Sequence, residues 1–182
     1  MTNLNLLSAD ELENTLWEIG LTSHTASSED QKKYLDFLCE NVSELAPKTI
    51  LNAVSYIMHT YFHCMQDEER GKCIRLILCA DINKLQNFGD VFDMLGILYK
   101  KCPHNLKKEV VNYIAANAMK TLSNPSAIIS ICNCFSYIFD ELEPADRKVV
   151  LKTLEQLISA QPYPYLNETL LFTKNLFEKE SR

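Results

Sequence analysis

The feature that most constrains this chain is a pattern repeated at long range. Residues 47–78, PKTILNAVSYIMHTYFHCMQDEERGKCIRLIL, give an apolar-striped helix, a short acidic break and a second apolar-striped helix, and the same plan returns over residues 125–158. At an offset of 78, Pro47 falls on Pro125, Ile50 on Ile128, Leu51 on Ile129, Val54 on Cys132, Ile57 on Phe135 and Tyr61 on Phe139. At about 100° per residue, Ile50, Val54, Ile57, Tyr61 and Met65 share one side of the first of these helices. Ile128, Cys132, Phe135, Phe139 and Leu142 share the same side of its counterpart. Both helices are expected to bury an equivalent stripe.

Helix signals recur along the rest of the chain. Ser8 with Glu11 reads as a capping box for a first helix reaching about Ile19, where Gly20 stops it; Leu12, Leu16 and Ile19 form its stripe. The polar run 22–30 supplies an N-cap at Ser27 or Ser28. Leu35, Leu38, Val42 and Leu45 then face inward on the second helix, with Asp36, Glu40 and Glu44 outward. A third helix runs from Pro47 to about Cys64, and a fourth begins at Asp67 or Glu68 and carries Ile74, Ile77, Leu78 and Leu85 inward. Gly89 and Asp90 reopen the chain for a fifth, with Val91, Leu95 and Leu98, ending near Lys101. The sixth follows a CPHN break and carries Leu106, Val110, Ile114 and Met119 to about Leu122. Asn124-Pro125 is an N-cap followed by proline at the first helical position, and Glu143-Pro144 repeats that device before the eighth, striped by Val150, Leu154, Leu157 and Ile158. The PYPY segment after Gln161 bars helix, and a ninth begins near Leu166.

Odd-numbered helices start about 40 residues apart, and so do even-numbered ones, a spacing that belongs to stacked helix pairs, each burying its face on the next. With only four Gly and six Pro, tight β-turns every ten residues are excluded. The expected architecture is all-α: nine helices in a right-handed α-solenoid of about four and a half hairpins, forming a single domain over residues 1–182.

Here the chain resembles the HEAT and armadillo-like repeats. Their pattern places an acidic residue in the turn within a repeat and, six positions on, a basic residue preceded by an apolar one. Glu69 with Ile74-Arg75 and Asp146 with Leu151-Lys152 match it, whereas the hairpins at 28–45 and 104–122 do not. The resemblance implies a protein-binding scaffold whose even-numbered helices line a concave groove. Compact helical superhelices of the VHS, ENTH and polymerase-tail-interacting types are similar in size and helix count, and would imply a short peptide or a lipid headgroup as ligand.

Charge narrows the choice of partner. Up to Glu69 there are 12 acidic and 3 basic residues, and from Arg70 onward 12 acidic and 15 basic. An acidic first third disfavours the continuous basic face that nucleic acid requires. The seven Cys, at 39, 64, 73, 79, 102, 132 and 134, are odd in number, contain no CxxC pair and lie mostly within apolar stripes. They read as reduced core thiols of a cytoplasmic or nuclear protein. The start MTNLNLLSADELEN lacks a basic n-region, and no apolar run approaches a membrane span.

Three surfaces are candidates for binding. His59 and His63 stand four apart, a metal-ligand spacing, but with no third ligand close in sequence, so no metal or other cofactor is expected. They share an outward face with Asn52 and Tyr56; the equivalent positions on the seventh helix are Ser130, Cys134, Tyr137 and Glu141. A face with Tyr and His where a solvated helix carries Lys and Glu reads as an interface. Cys132 and Cys134 are expected to be one core and one surface thiol, and Asp36, Glu40 and Glu44 a solvated row. Lys72, Arg75, Lys108, Lys148 and Lys152 on even-numbered helices would make one end of the inner groove basic. The ninth helix carries Leu166, Leu170, Leu171, Phe172, Leu176 and Phe177 nearly all round, where a terminal repeat normally shows a polar cap. Either this is a piece of a longer solenoid, or a partner or second copy covers that end, or Phe172 and Leu176 fold back on the preceding hairpin.

No GxSxG, Walker loop or GxGxxG is present, and no enzymatic activity is expected. The expected function is a non-enzymatic protein-binding scaffold or adaptor within a larger assembly, with a peptide segment in the groove or self-association through the last helix. The alternative from another class is a helical-repeat nucleic-acid module using Lys100, Lys101, Lys107, Lys108 and Lys120.

Overall fold

Pro47, Pro125 and Pro144 each open a helix, where the missing backbone N–H leaves no intrahelical bond unmade. The computed structural model describes residues 28–61, 65–85 and 88–179, together with Glu11, Asn14, Thr15 and Glu18, and for residues 28, 56, 58–61 and 179 the backbone alone. The expected first helix therefore lies outside the described residues apart from those four, which are helical. Among the described residues the regular structure is entirely helical, and no helix is long and apolar enough to cross a membrane. The chain divides into two compact units, residues 1–85 and 86–182.

In the first unit, α1 (Ser28–Glu40), α2 (Pro47–Tyr61) and α3 (Asp67–Cys79) pack on one another. Leu35 and Leu38 from α1, Val54 and Ile57 from α2, and Cys73, Ile74 and Ile77 from α3 are buried at their centre. Ile50, Val54 and Ile57 of the expected α2 stripe and Ile74 and Ile77 of the α3 stripe are buried, while Leu78 is half-buried. At the start of α3 the Gln66 N–H donates to Glu69 Oε2 at 2.9 Å, so the acidic residue of the turn holds the helix end closed. Lys72 of α3 reaches Asp36 of α1 at 2.6 Å and Glu68 at 3.4 Å.

Two elements are shorter than their patterns suggested. α1 stops at Glu40 because Asn41 turns its amide back to the Phe37 carbonyl at 2.8 Å, leaving Val42 and Leu45 half-buried in the following turn. α3 stops at Cys79 because the Asp81 carboxylate accepts from the Asn83 N–H at 3.1 Å and from its side chain at 2.8 Å. That local arrangement favours a 310 turn at Ile82–Lys84 over further helix. Leu85 lies beyond it, half-buried.

The second unit has α4 (Gly89–Tyr99), α5 (His104–Ala118), α6 (Pro125–Ile138), α7 (Pro144–Ala160) and α8 (Asn167–Lys179). α4, α6 and α8 pack side by side, as do α5 and α7, so the helices fall into two layers. Of these contacts α4 with α6 is the most extensive. It is closest at Gly96, where a side chain would meet the backbone of Cys134. Beside it, Ser130 Oγ donates to Asp93 Oδ2 at 2.7 Å. On the other flank of α6, Phe177 of α8 sits edge-on to Phe135 at 6.4 Å and Phe139 at 4.8 Å. Successive hairpins are also joined at their turns, with Lys107 3.1 Å from Glu141 and 5.2 Å from the Tyr99 ring centroid.

The helix-start signal at Asn124 is realised, since its side chain accepts from the Ala127 N–H at 3.2 Å. Glu143 makes no such bond and stands exposed, so the second device works through Pro144 alone. The sixth expected helix, here α5, tightens into a 310 turn at Met119–Ser123. This rotates Met119 outward to 39% exposure and puts Thr121 in the interior, its hydroxyl donating to the Ala118 carbonyl at 2.6 Å.

A methyl group on Gly96 would lie 3.0 Å from Cys134 Cα, 3.2 Å from Tyr137 Cδ2 and 3.3 Å from Cys134 Sγ. The nearest of these is backbone, so α6 itself must yield. Alanine gains about 1 kcal/mol of helix propensity over glycine, and overpacking costs about 1–3 kcal/mol. Gly96→Ala is therefore expected to destabilise by about 1 kcal/mol. Gly96→Val, with two further methyls and a smaller propensity gain, should cost about 3 kcal/mol and lower the melting temperature by about 10 °C. A thermal melt in which alanine raises the midpoint contradicts the close approach of α4 and α6.

Candidate functional site

On α8, Leu170, Thr173 and Phe177 recur at helical spacing and are buried, so the helix has one well-seated face. Thr173 and Phe177 face α6, with the Thr173 hydroxyl beside the Cys132 side chain and donating to the Thr169 carbonyl at 2.9 Å. Lys174 reaches Glu155 of α7 at 3.4 Å. Leu171 lies about 160° round the helix from Thr173, on the flank away from α6, and is 46% exposed; Phe172 is 65% exposed. Tyr165, in the 310 turn at Pro164–Leu166, is 66% exposed with its ring 5.9 Å from that of Tyr163. The apolar circumference seen in sequence is thus divided. Leu166, Leu170 and Phe177 are seated, Leu176 is half-buried, and Leu171 and Phe172 remain uncovered.

The aromatic ridge is redrawn. The side chains of Tyr56 and His59 and the whole of His63 lie outside the described residues. On α6, Tyr137 is 54% exposed, but Ser130 and Cys134, expected on the same outward face, are buried against α4. Cys132 and Cys134 are both buried, rather than one in the core and one at the surface. The reason is that α6 has a neighbour on each side within its layer and another layer beneath. It buries most of its circumference, and the apolar stripe marks only part of it, including the Phe135 and Phe139 contacts with α8. The composition of α6 carried the missing signal: PSAIISICNCFSYI contains no charged residue.

The basic candidates separate by role. Lys72 is held between Asp36 and Glu68, so Asp36 is an ion-pair partner rather than a member of a solvated row. The exposed Glu40 and Glu44 fit that description better. Arg75, Lys108, Lys148 and Lys152 are exposed. Among the lysines considered for nucleic acid, Lys107 is paired with Glu141, and Lys120 lies beyond the opposite end of α5 from Lys107 and Lys108. Lys120 is thus set apart from the others, while Lys100 and Lys101 are exposed after the end of α4.

Among the described residues, no group of three or more His, Cys, Asp or Glu is placed to hold a metal ion. The six described Cys are free thiols. Burial pushes Cys73 up to about 12 and Cys102 and Cys132 up to about 11, while the neighbouring Thr173 hydroxyl partly offsets the effect at Cys132. Burial also raises Cys134, with the charge of Asp93 adding to it. Thiols held protonated in this way are poor nucleophiles and poor metal ligands.

Their titration gives stability a definite pH dependence. The folded values lie above the ordinary value of 9.0, so the unfolded chain loses these protons first. Stability from Cys73 and Cys132 is complete below about pH 9 and is lost as pH rises toward 11–12, at up to about 1.4 kcal/mol per pH unit for each group. Urea midpoints are expected to be flat from pH 7 to 8.5 and to fall steeply by pH 10.5. A flat profile through pH 10.5 contradicts this burial.

No family model, no curated protein and no solved structure matches the chain.

Proposed function

We propose that the chain is a non-enzymatic protein-binding scaffold or adaptor, built on the HEAT-like α-solenoid plan and working in the cytoplasm or nucleus as part of a larger assembly. The observation that carries this reading is the uncovered pair Leu171 and Phe172, on a helix whose Leu170 and Phe177 are fully buried. Each helix of the α4, α6, α8 layer supports the next, and Leu171 stands on the flank where a further helix of the layer would pack. A partner's apolar anchor fits there. Exposed Lys108 and Lys152 on α5 and α7 supply charge for steering from the other layer. The buried free thiols favour a reducing compartment.

The test compares wild type with Leu171→Glu/Phe172→Glu by light scattering and by affinity capture from cell extract. Both positions are exposed, so the variant is expected to keep its circular dichroism spectrum and to be monomeric. Proteins captured by the wild type should fall at least about tenfold, as expected when apolar anchors are removed. A wild-type dimer that the variant dissolves would identify the covering partner as a second copy and overturn the adaptor reading. Salt-sensitive retention of nucleic acid by both proteins, with nothing else captured, would replace it with a nucleic-acid module.

A further inference from the structure

The second unit has another uncovered surface, which adjoins the flank bearing Leu171 and shares Phe172 with it. α6 carries no charged residue, and α4 carries only Asp90 and Asp93. A helix face turned to water normally displays charge, yet α6 does turn one outward. Ile129 is 40% and Tyr137 54% exposed, with Asn133 and Ser136 exposed between them. On α4 Ile97 is 63% exposed, and the ring of Tyr137 lies against Gly96, the residue before it. Phe172 continues the series on α8. Large apolar and aromatic side chains on three adjacent helices, interleaved with uncharged polar groups, have the composition of an interface centre, where charge is depleted and aromatics concentrate binding energy.

The border of this face is acidic on balance, four carboxylates against Lys100 and Lys101, which follow the end of α4. Asp90 is exposed and Asp93 half-exposed at the start of α4, Asp140 follows the end of α6, and Glu168 lies in the first turn of α8. Neither α4 nor α6 contains a Lys or Arg, and Lys174 of α8 is drawn toward Glu155 and Glu178. Partial burial and the charge of Asp93 hold the Asp90 carboxyl above its usual range. The face is also small. Helices of 11 and 14 residues are about 17–21 Å long at 1.5 Å per residue, and neighbouring axes lie about 8–10 Å apart. Three such helices offer about 500 Å², less than the ~800 Å² that each side of a standard interface contributes. That matches a single helix better than a second globular chain.

We propose that the exposed face of α4, α6 and α8 docks an amphipathic helix of a partner protein. The apolar stripe of that helix sits on Ile97, Ile129, Tyr137 and Phe172, and Lys or Arg along its borders meet Asp90, Asp93, Asp140 and Glu168. This rests on the scaffold reading above and specifies the chemistry of the partner.

A displayed library of helices of about 18 residues, with a fixed Leu/Phe stripe and borders randomised among Lys, Glu and Ser, is selected on the full chain. Lys-bordered helices are expected to be enriched. As isolated peptides they should lose at least about tenfold in affinity on an Ile97→Ser/Ile129→Ser/Tyr137→Ser variant and weaken in about 0.5 M salt. Lys108→Ser/Lys152→Ser should leave binding unchanged. The three replaced residues are exposed, and circular dichroism of the variant confirms folding before selection. Enrichment of Glu-bordered helices, or of helices whose binding survives the triple variant, overturns the docking face and leaves the scaffold reading standing. No enrichment at all also overturns the docking face. Only if the capture experiment is empty as well does the scaffold reading fall with it.

Discussion

The contact at Gly96 is the constraint on which the second unit depends. Because residue 96 has no side chain, the α4 backbone approaches the backbone of Cys134 directly, and the two helices share the most extensive packing in the unit. That approach fixes the register. Asp93 comes opposite Ser130 and accepts its hydroxyl, and Tyr137, with no room to enter, lies across the glycine and stays half in water. With α6 held on this side, its opposite flank presents Phe135 and Phe139 to Phe177. The placement of α8, and with it the exposure of Leu171 and Phe172, thus follows from a contact two helices earlier. In the first unit a polar link between α1 and α3 supplements the apolar centre. Lys72 and Asp36 meet at 2.6 Å while both remain partly in solvent, so their attraction is screened and weaker than a packed contact.

The acidic residue of the HEAT-like pattern has a physical role that its basic companion does not share. Glu69 and Asp146 each stand at the third position of their helix and are buried, at 7% and 6% exposure. There a carboxylate meets the unsatisfied N–H groups and the positive end of the helix dipole, and for Glu69 the bond to the Gln66 N–H is direct. Six positions on, Arg75 and Lys152 are exposed. The pattern therefore joins a residue that starts a helix to one that belongs to the surface. A hairpin can dispense with it when another device starts the second helix: α5 follows Pro103, and its first turn is closed by the Leu106 N–H donating to the Pro103 carbonyl at 2.9 Å.

What the sequence made legible were the properties determined locally. Proline and asparagine marked the starts of α2 and α6, and apolar spacing identified Val54, Ile57, Ile74, Phe135 and Leu154 as core. Helix ends were less legible, because Asn41, Asp81 and Thr121 terminate or tighten helices through side-chain bonds to nearby backbone or turn groups that no apolar stripe records. Least legible was the second buried face of α6. Ser130 and Cys134 look like surface residues on a wheel drawn for one stripe, and only the presence of α4 beside them makes them interior. The candidate site was legible to the same degree. Exposed Leu171 and Phe172 follow from an apolar circumference too wide for one neighbour to cover, whereas the part played by Ile97 depends on a neighbouring helix that the sequence does not reveal.

The placement of charge along the chain separates what keeps the protein dissolved from what is free to bind. The helices that open hairpins, α2, α4 and α6, contain one, two and no charged residues, whereas α1, α3, α5 and α7, which close them, contain six, six, three and five. Burial alone does not explain the difference, since α4 and α6 both expose large side chains while α3 and α7 bury stripes of similar extent. A charged border on an exposed helix is cheap to maintain and suppresses association. Its absence from α6, and its restriction on α4 to Asp90 and Asp93, leaves a surface whose centre is inexpensive to desolvate, because no ion there must be stripped of water when something covers it. The same chain thus leaves its hydration to one set of helices and keeps the other set poor in charge. On α8 both tendencies meet: Lys174 and Glu178 face the α7 side, and Leu171 and Phe172 face outward.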